Sequence, residues 1–165
     1  MRGWADEFVY SLKTISNYKG AAFFADTMLR CQNAPVDMLM YYDARPCGFN
    51  GLFAPYTYEV QKPYHALYMF SELYALGTQI KVEIDDPELC ALAASDGEKS
   101  AVMLSFYTED DTRSAAKAVT VKLPEGGKAG VKVLDKTKNA RRRSIAHDGT
   151  ITLELRPNSV VYIDF

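Results

Sequence analysis

The hydrophobic period of the chain changes close to residue 78. Before that point apolar residues recur every three to four positions, which is the spacing of an amphipathic helix. After it, apolar and polar residues alternate in short runs separated by turn residues, which is typical of antiparallel strands. The sequence therefore predicts two parts, residues 1–78 and residues 79–165, in an α+β fold that is mostly β.

The second part predicts an antiparallel β-sandwich. Seven or eight short alternating runs follow one another at regular spacing, and the first is predicted at Lys81 to Ile84. Two hairpin turns are marked by Asp96-Gly97 and Asp148-Gly149, because Asp-Gly suits the tight turns that join antiparallel strands.

The first part predicts helix, strand and helix. The helices are expected at Ile15 to Asn33, capped by Ser16 or Asn17, and at Lys62 to Gly77. Between them, the mostly apolar run Val36 to Tyr42 indicates a strand buried on both faces, as in a parallel sheet. These elements amount to one and a half β/α units, which cannot close a sheet, and 165 residues are too few for a (β/α)8 barrel of roughly 250.

The charges are nearly balanced and exclude ligands that need a strong field. The chain has 19 basic and 21 acidic residues, a net charge of −2, so neither nucleic acid nor an anionic membrane is an expected partner. The longest nearly apolar run, Ala21 to Ala25, is far shorter than the 18 or so residues that would span a bilayer. The first residues do not have the pattern of a signal peptide.

Neither the cysteines nor the histidines predict a metal site. Cys31, Cys47 and Cys90 have no CxxC spacing, so each is expected to be a small buried side chain. His65 and His147 are far apart, the first on a helix and the second in a turn. We expect no metal and no cofactor.

Several segments resemble one family. Val36-Asp37-Met38-Leu39-Met40-Tyr41-Tyr42-Asp43-Ala44-Arg45-Pro46 and Lys62-Pro63-Tyr64-His65-Ala66 resemble the eighth strand and eighth helix of a clan-A glycoside hydrolase barrel, most like the family 39 xylosidases and related cellulase-like enzymes. Leu89 to Ala94, Val131 to Asp135 and Leu153 to Tyr162 are similar to the C-terminal β-sandwich of those enzymes. The resemblance implies a (β/α)8-barrel remnant followed by a sandwich, and a carbohydrate ligand whose O-glycosidic bonds the complete enzyme hydrolyses with retention.

The resemblance also implies where the sugar site lies. Arg2-Gly3-Trp4 resembles the stretch just after the seventh barrel strand, so the nucleophilic glutamate would precede Met1. The acid/base glutamate of strand four has no counterpart either, so the chain contains no catalytic residue and is expected to be inactive alone. Asp43, with Tyr42 and Arg45, would line the sugar site, and Trp4 would stack on a sugar.

Plainer structural roles are open for each of these residues. Asp43 and Arg45 would equally form an ion pair that shapes the loop, and Trp4 would pack on the next helix. The loop aromatics form either a sugar-facing wall or, as we slightly favour, the seam between the two parts; they are Phe49, Phe53, Tyr56 and Tyr58.

Two further hypotheses stand beside the hydrolase fragment. One is a non-catalytic carbohydrate-binding β-sandwich with a helical extension. The other is a structural domain that packs against another chain through the strand Val36 to Tyr42. Because that strand has no neighbours, we also expect the barrel remnant to self-associate.

Overall fold

A computed structural model describes residues 3–42 and 44–165. Helices form one layer, a six-stranded antiparallel sheet forms the middle layer, and a two-stranded sheet covers the opposite face. The α+β fold class and its sheet-rich second part are confirmed.

Among the described residues, the first part of the chain forms three helices: α1 (Trp4–Ile15), α2 (Tyr18–Cys31) and α3 (Lys62–Tyr74). The predicted cap of α2 is confirmed at Asn17, whose side chain accepts hydrogen bonds from the backbone N–H groups of Lys19 and Gly20. The chain leaves α3 through Gly77, which has a φ of +80°, a conformation that glycine adopts without steric cost.

Eight strands follow the helices. They are β1 (Thr78–Ile80), β2 (Leu89–Ser95), β3 (Ser100–Phe106), β4 (Lys117–Lys122), β5 (Gly127–Leu134), β6 (Arg143–His147), β7 (Thr150–Leu155) and β8 (Ser159–Asp164). The larger sheet has the order β1-β2-β3-β8-β5-β6, and β4 pairs with β7 in the smaller one. The predicted hairpin at Asp96-Gly97 is confirmed, since β2 pairs with β3. Asp148-Gly149 also turns the chain, but β6 and β7 belong to different sheets, so the prediction of a hairpin there is wrong.

Alternation along the strands sends apolar side chains to both faces of the six-stranded sheet. On β3, Ala101 and Met103 face the helices, whereas Val102, Leu104 and Phe106 face the two-stranded sheet. The neighbouring strands β2, β5 and β8 divide their residues in the same way. The middle sheet is therefore covered by helices on one side and by β4 and β7 on the other.

The seam between the helices and the sandwich is made by α2 and α3. Ala21, Ala22, Ala25 and Leu29 of α2 are fully buried in one apolar cluster with residues of the sheet. The small alanines allow the helix backbone to approach the sheet closely. The expectation that loop aromatics form this seam is wrong for Phe49, Tyr56 and Tyr58, which are exposed, whereas Phe53 is half-buried and packs on Tyr64 of α3.

Two predicted strands are not formed. Val36 to Tyr42 pairs with no strand among the described residues, and most of its side chains are exposed. The prediction that it is buried on both faces is therefore wrong: a strand needs neighbours for its N–H and C=O groups, and here none lies alongside. At the start of the sandwich, Thr78–Ile80 pairs with β2 instead of Lys81 to Ile84, which leaves the sheet edge.

Candidate functional site

An exposed group of aromatic side chains lies at the start of α1. Trp4 is 82% exposed and stacks on Phe8, one helical turn later, with ring centroids 5.9 Å apart and an interplanar angle of 18°. Phe8 in turn contacts Phe49 of the loop at 5.8 Å. We call Trp4, Phe8 and Phe49 the aromatic patch.

Local interactions in the first turn of α1 stabilise the start of this helix at Trp4. Gly3 has an extended backbone, and its N–H donates to Asp6 Oδ2 at 3.3 Å. Asp6 and Glu7 both lie in the first turn, where negative charge is stabilised by the helix dipole. The start of the helix therefore fixes the direction in which Trp4 leaves the backbone.

A charged contact holds α1 and α2 against the sandwich. The Nζ of Lys19 donates to Asp111 Oδ1 at 2.6 Å, to the carbonyl oxygen of Glu109 at 2.7 Å and to Tyr10 Oη at 3.0 Å. Tyr10 donates to the other oxygen of Asp111 at 2.7 Å. Burial opposes the charge of Lys19, but the hydrogen bonds to Asp111 and Tyr10 raise its pKa above the ordinary value. This lysine therefore stays protonated and positions the helix that carries Trp4.

The segment before the loop presents a second exposed surface. Tyr41 packs on Phe24 of α2, with ring centroids 4.8 Å apart, and this contact attaches the segment to the helix. Its neighbour Tyr42 is 90% exposed, and Met38 and Met40 are exposed as well. We call residues 36–42 the apolar segment.

The loop that follows is compact at its base. The side-chain amide of Asn50 donates to the carbonyl oxygen of Arg45 at 3.1 Å, which closes residues 45–50 into a short turn. Gly51, with a φ of +72°, lies so close to the end of α1 that a Cβ there would be 2.4 Å from the carbonyl oxygen of Ile15. This close approach places Phe49 beside α1.

The sequence predicts that Trp4, Tyr42, Asp43 and Arg45 line one site, and the structure gives the surroundings of three of them. Trp4 is linked through Phe8 and Phe49 to the loop that begins at Arg45, and Arg45 is itself exposed. Tyr42 is on the surface just before that loop. Asp43 lies outside the described residues.

Phe8 belongs to the aromatic patch, but it was not singled out from the sequence. Its spacing of four residues from Trp4 on a helix is the signal that indicates a shared face. Phe49 was considered among the loop aromatics, but its contact with α1 depends on how the loop folds back. Of the two other members of the aromatic patch, Phe8 was therefore predictable from its spacing in the sequence, and Phe49 was not.

His65 lies on α3, as predicted, whereas His147, which was predicted in a turn, is the last residue of β6. His147 accepts a hydrogen bond from the N–H of Gly149 through Nδ1, at 3.3 Å, in the turn after β6. Burial, and then the charge of Lys62, lowers the pKa of His65 on α3. Among residues 3–42 and 44–165, no three His, Cys, Asp or Glu side chains are grouped to hold a metal ion, and no helix is long and apolar enough to cross a membrane.

Helices packed on an antiparallel sandwich define the class of fold. It is the fold found in part of the clan-A glycoside hydrolases, and the resemblance predicted from the sequence is confirmed at this level. No family model matches the chain, and no curated protein matches it in sequence.

Individual solved structures match almost the whole chain. A glycoside hydrolase family 30 subfamily 8 xylanase from Clostridium acetobutylicum matches with a TM-score of 0.66 at 16% identity, over 90% of this chain and 39% of that chain. A family 30 endoxylanase from Clostridium papyrosolvens matches with a TM-score of 0.65 at 14% identity, over 90% of this chain and 38% of that one. A monomeric β-xylosidase from Caulobacter crescentus gives a TM-score of 0.64 at 14% identity, covering 90% and 41%. The chain spans about two fifths of the length of these hydrolases.

Proposed function

We propose that this chain is the C-terminal part of a retaining glycoside hydrolase that acts on O-glycosidic bonds of a polysaccharide or oligosaccharide. The observation that carries the proposal is the match of nine tenths of the chain to two fifths of xylan- and xyloside-active enzymes. A retaining hydrolase needs two carboxyl groups roughly 5–5.5 Å apart on a rigid sheet. We propose that neither of the two glutamates that the family uses lies in this chain, and we therefore expect the chain alone to be inactive.

The DNA upstream of Met1 tests the fragment proposal directly. An open frame that continues upstream and encodes a glutamate just before Arg2-Gly3-Trp4 supports it, and a stop codon at that place overturns it. Hydrolysis of an aryl xyloside by the 165-residue chain would show that the proposed inactivity is wrong.

Within this function, Trp4 stacks on a sugar ring, and Tyr42, Asp43 and Arg45 line the same site. The exposure of Trp4 and its support by Phe8 favour this role, because a ring held flat by a neighbour presents its free face to a ligand. Packing of Trp4 on the next helix, the alternative role, is disfavoured by the same exposure.

Binding to xylo-oligosaccharides tests the role of Trp4. An aromatic stacking contact contributes about 0.5–1.5 kcal/mol, so Trp4→Ala is expected to weaken binding about two- to tenfold. Tyr74→Ala is the matched control, since Tyr74 is also an exposed aromatic side chain at a helix end. Equal effects of the two substitutions would contradict the assignment.

The aromatic patch also favours a second function, a non-catalytic carbohydrate-binding module. Such a module needs stacking side chains but no catalytic carboxylates. The DNA sequence upstream of Met1 distinguishes the binding module from the hydrolase fragment. Xylan binding that depends on Trp4, together with a stop codon before Met1, would favour the module.

We propose further that the apolar segment drives self-association of the isolated chain. Met38 and Met40 are 74% and 78% exposed, and the backbone beside them joins no ladder in the described part of the chain. Contiguous exposed apolar residues of this kind mark contact surfaces. Light scattering is expected to show dimers or larger species that Met38→Asp with Met40→Asp dissociates, and a wild-type monomer would contradict this.

A further inference from the structure

We propose that residues 81–85 form a strap that closes on the free edge of β4 and completes a three-stranded sheet over the sandwich. In the structure these residues leave β1 and join no ladder. A groove of about 700 Å³ lies between them and β4. Its floor is aliphatic and includes Leu89, Ala91, Val102 and Leu104.

The edge of β4 that borders the groove presents unpaired backbone groups. Just past the end of β4, the N–H of Leu123 donates to the carbonyl oxygen of Gly149 at 2.8 Å, so odd-numbered residues direct their backbone groups toward β7. The N–H and C=O groups of Ala118, Thr120 and Lys122 therefore point to the groove. β4 pairs with β7 alone among the described strands, so these backbone groups have no strand beside them to hydrogen-bond to.

The strap has the alternation that this edge requires. Val82 is half-buried and packs on the core, Ile84 is 44% exposed, and the charged residues Lys81, Glu83 and Asp85 lie between and beside them. Period-two alternation is why the sequence predicts a strand here. The side chains are therefore already arranged for a strand with one face on the groove floor.

An ion pair sets the register. Lys117 at the start of β4 donates to Asp86 Oδ2 at 2.7 Å, directly after the strap, and also pairs with Glu88. With Asp86 opposite Lys117, an antiparallel strap places Ile84 opposite Val119 and Val82 opposite Val121. Both pairs are aliphatic.

The same register places Asp85, Glu83 and Lys81 opposite the three residues whose backbone groups face the groove. When the strap closes, its backbone therefore hydrogen-bonds to the free edge of β4 and Ile84 becomes buried. The two ends of the strap, which anchor it, stay in place. One anchor is the turn at Asp86, whose carbonyl oxygen accepts from the N–H of Leu89 at 3.1 Å. The other is the pairing of Ile80 with Ala93 at the end of β1.

Amide hydrogen exchange of the unmodified chain tests the closed state. Thr120 and Thr152 lie opposite each other on β4 and β7, and both direct their N–H groups to the outer edges of this two-stranded sheet. Only Thr120 faces the strap. We expect its amide to exchange at least tenfold more slowly than that of Thr152, and equal exchange overturns the proposal.

Cross-linking tests the register independently. Opposed residues of a non-hydrogen-bonded antiparallel pair have Cα atoms about 4.5 Å apart, within the range of a disulfide. In a chain whose native cysteines are changed to alanine, Ile84→Cys with Val119→Cys is expected to oxidise at least tenfold faster than Ile84→Cys with Val121→Cys, the pair that is one step out of register. Equal rates, or faster oxidation of the second pair, overturn the register.

Discussion

Replacement of Leu29 by alanine tests whether the helices and the sandwich unfold as one unit. Leu29 lies on α2, is fully buried, and belongs to a cluster that includes Met103 of β3 and Val160 of β8. Leucine-to-alanine changes at such positions cost about 2–5 kcal/mol, because transfer energy is lost and a cavity remains. We expect the free energy of unfolding to fall by about 3 kcal/mol.

The measurement is hydrogen exchange by mass spectrometry, compared between peptides from α2 and from β7. β7 belongs to the layer on the far side of the six-stranded sheet and does not contact Leu29's cluster directly. If the layers unfold together, 3 kcal/mol corresponds to about a hundredfold faster exchange of the slowest amides in both peptides. In urea, with a slope of ~2 kcal/mol/M, the midpoint moves down by about 1.5 M.

The control is Leu39→Ala, the same chemical change at an exposed leucine of the apolar segment. It is expected to alter stability by less than about 0.5 kcal/mol. Faster exchange in α2 with unchanged exchange in β7 would refute the reasoning, because residues 1–78 and 79–165 would then be independent units. The division of the chain at residue 78 is thus a prediction that the same experiment tests.

Two further predictions concern acid stability and loop packing. Hydrogen bonds from Arg113 and then Lys117 lower the pKa of Glu88 from 4.5 to about 2, so its contribution to stability is present above pH 4.5 and is lost as the pH falls toward 2. Acid unfolding followed by circular dichroism should show that slope, and Glu88→Gln should flatten it; an unchanged slope would assign it to other carboxylates. Gly51→Ala is expected to cost about 1–3 kcal/mol in thermal or urea unfolding, because its φ of +72° and its contact with α1 leave no room for a Cβ. Gly48→Ala, which has open space around it, should change stability by less than about 0.5 kcal/mol.

Features with a local cause were predictable from the sequence. The cap at Asn17, the end of α3 near Gly77 and the hairpin at Asp96-Gly97 depend on residues within a few positions of one another. The change of period near residue 78 is also local, and it led to the correct fold class. The resemblance then added an architecture that periodicity alone does not specify.

Features that depend on distant contacts were not predictable. The seam required knowing that the alanine face of α2 meets β3 and β8, and nothing in the alanine spacing identifies that partner. Phe49 was placed in the seam because it is aromatic, but the loop turns back at Arg45 to Asn50 and carries it to α1. The charged contact between Lys19 and Asp111 joins residues 92 positions apart in the sequence, and no local pattern predicts it.

The two strands that were predicted but not formed share one physical cause. An alternating or apolar sequence shows that a segment is able to lie in a sheet. A strand forms only when a second strand hydrogen-bonds to its backbone N–H and C=O groups. For residues 81–85 we propose that the complementary edge is the free edge of β4, in the register that the ion pair between Lys117 and Asp86 favours. For the apolar segment, the described chain offers no parallel neighbour, and its methionines and Tyr42 remain in solvent. Residues 81–85 therefore need only a conformational change to become a strand. The apolar segment needs additional polypeptide beside it, and this is the physical basis for proposing that the chain is part of a barrel.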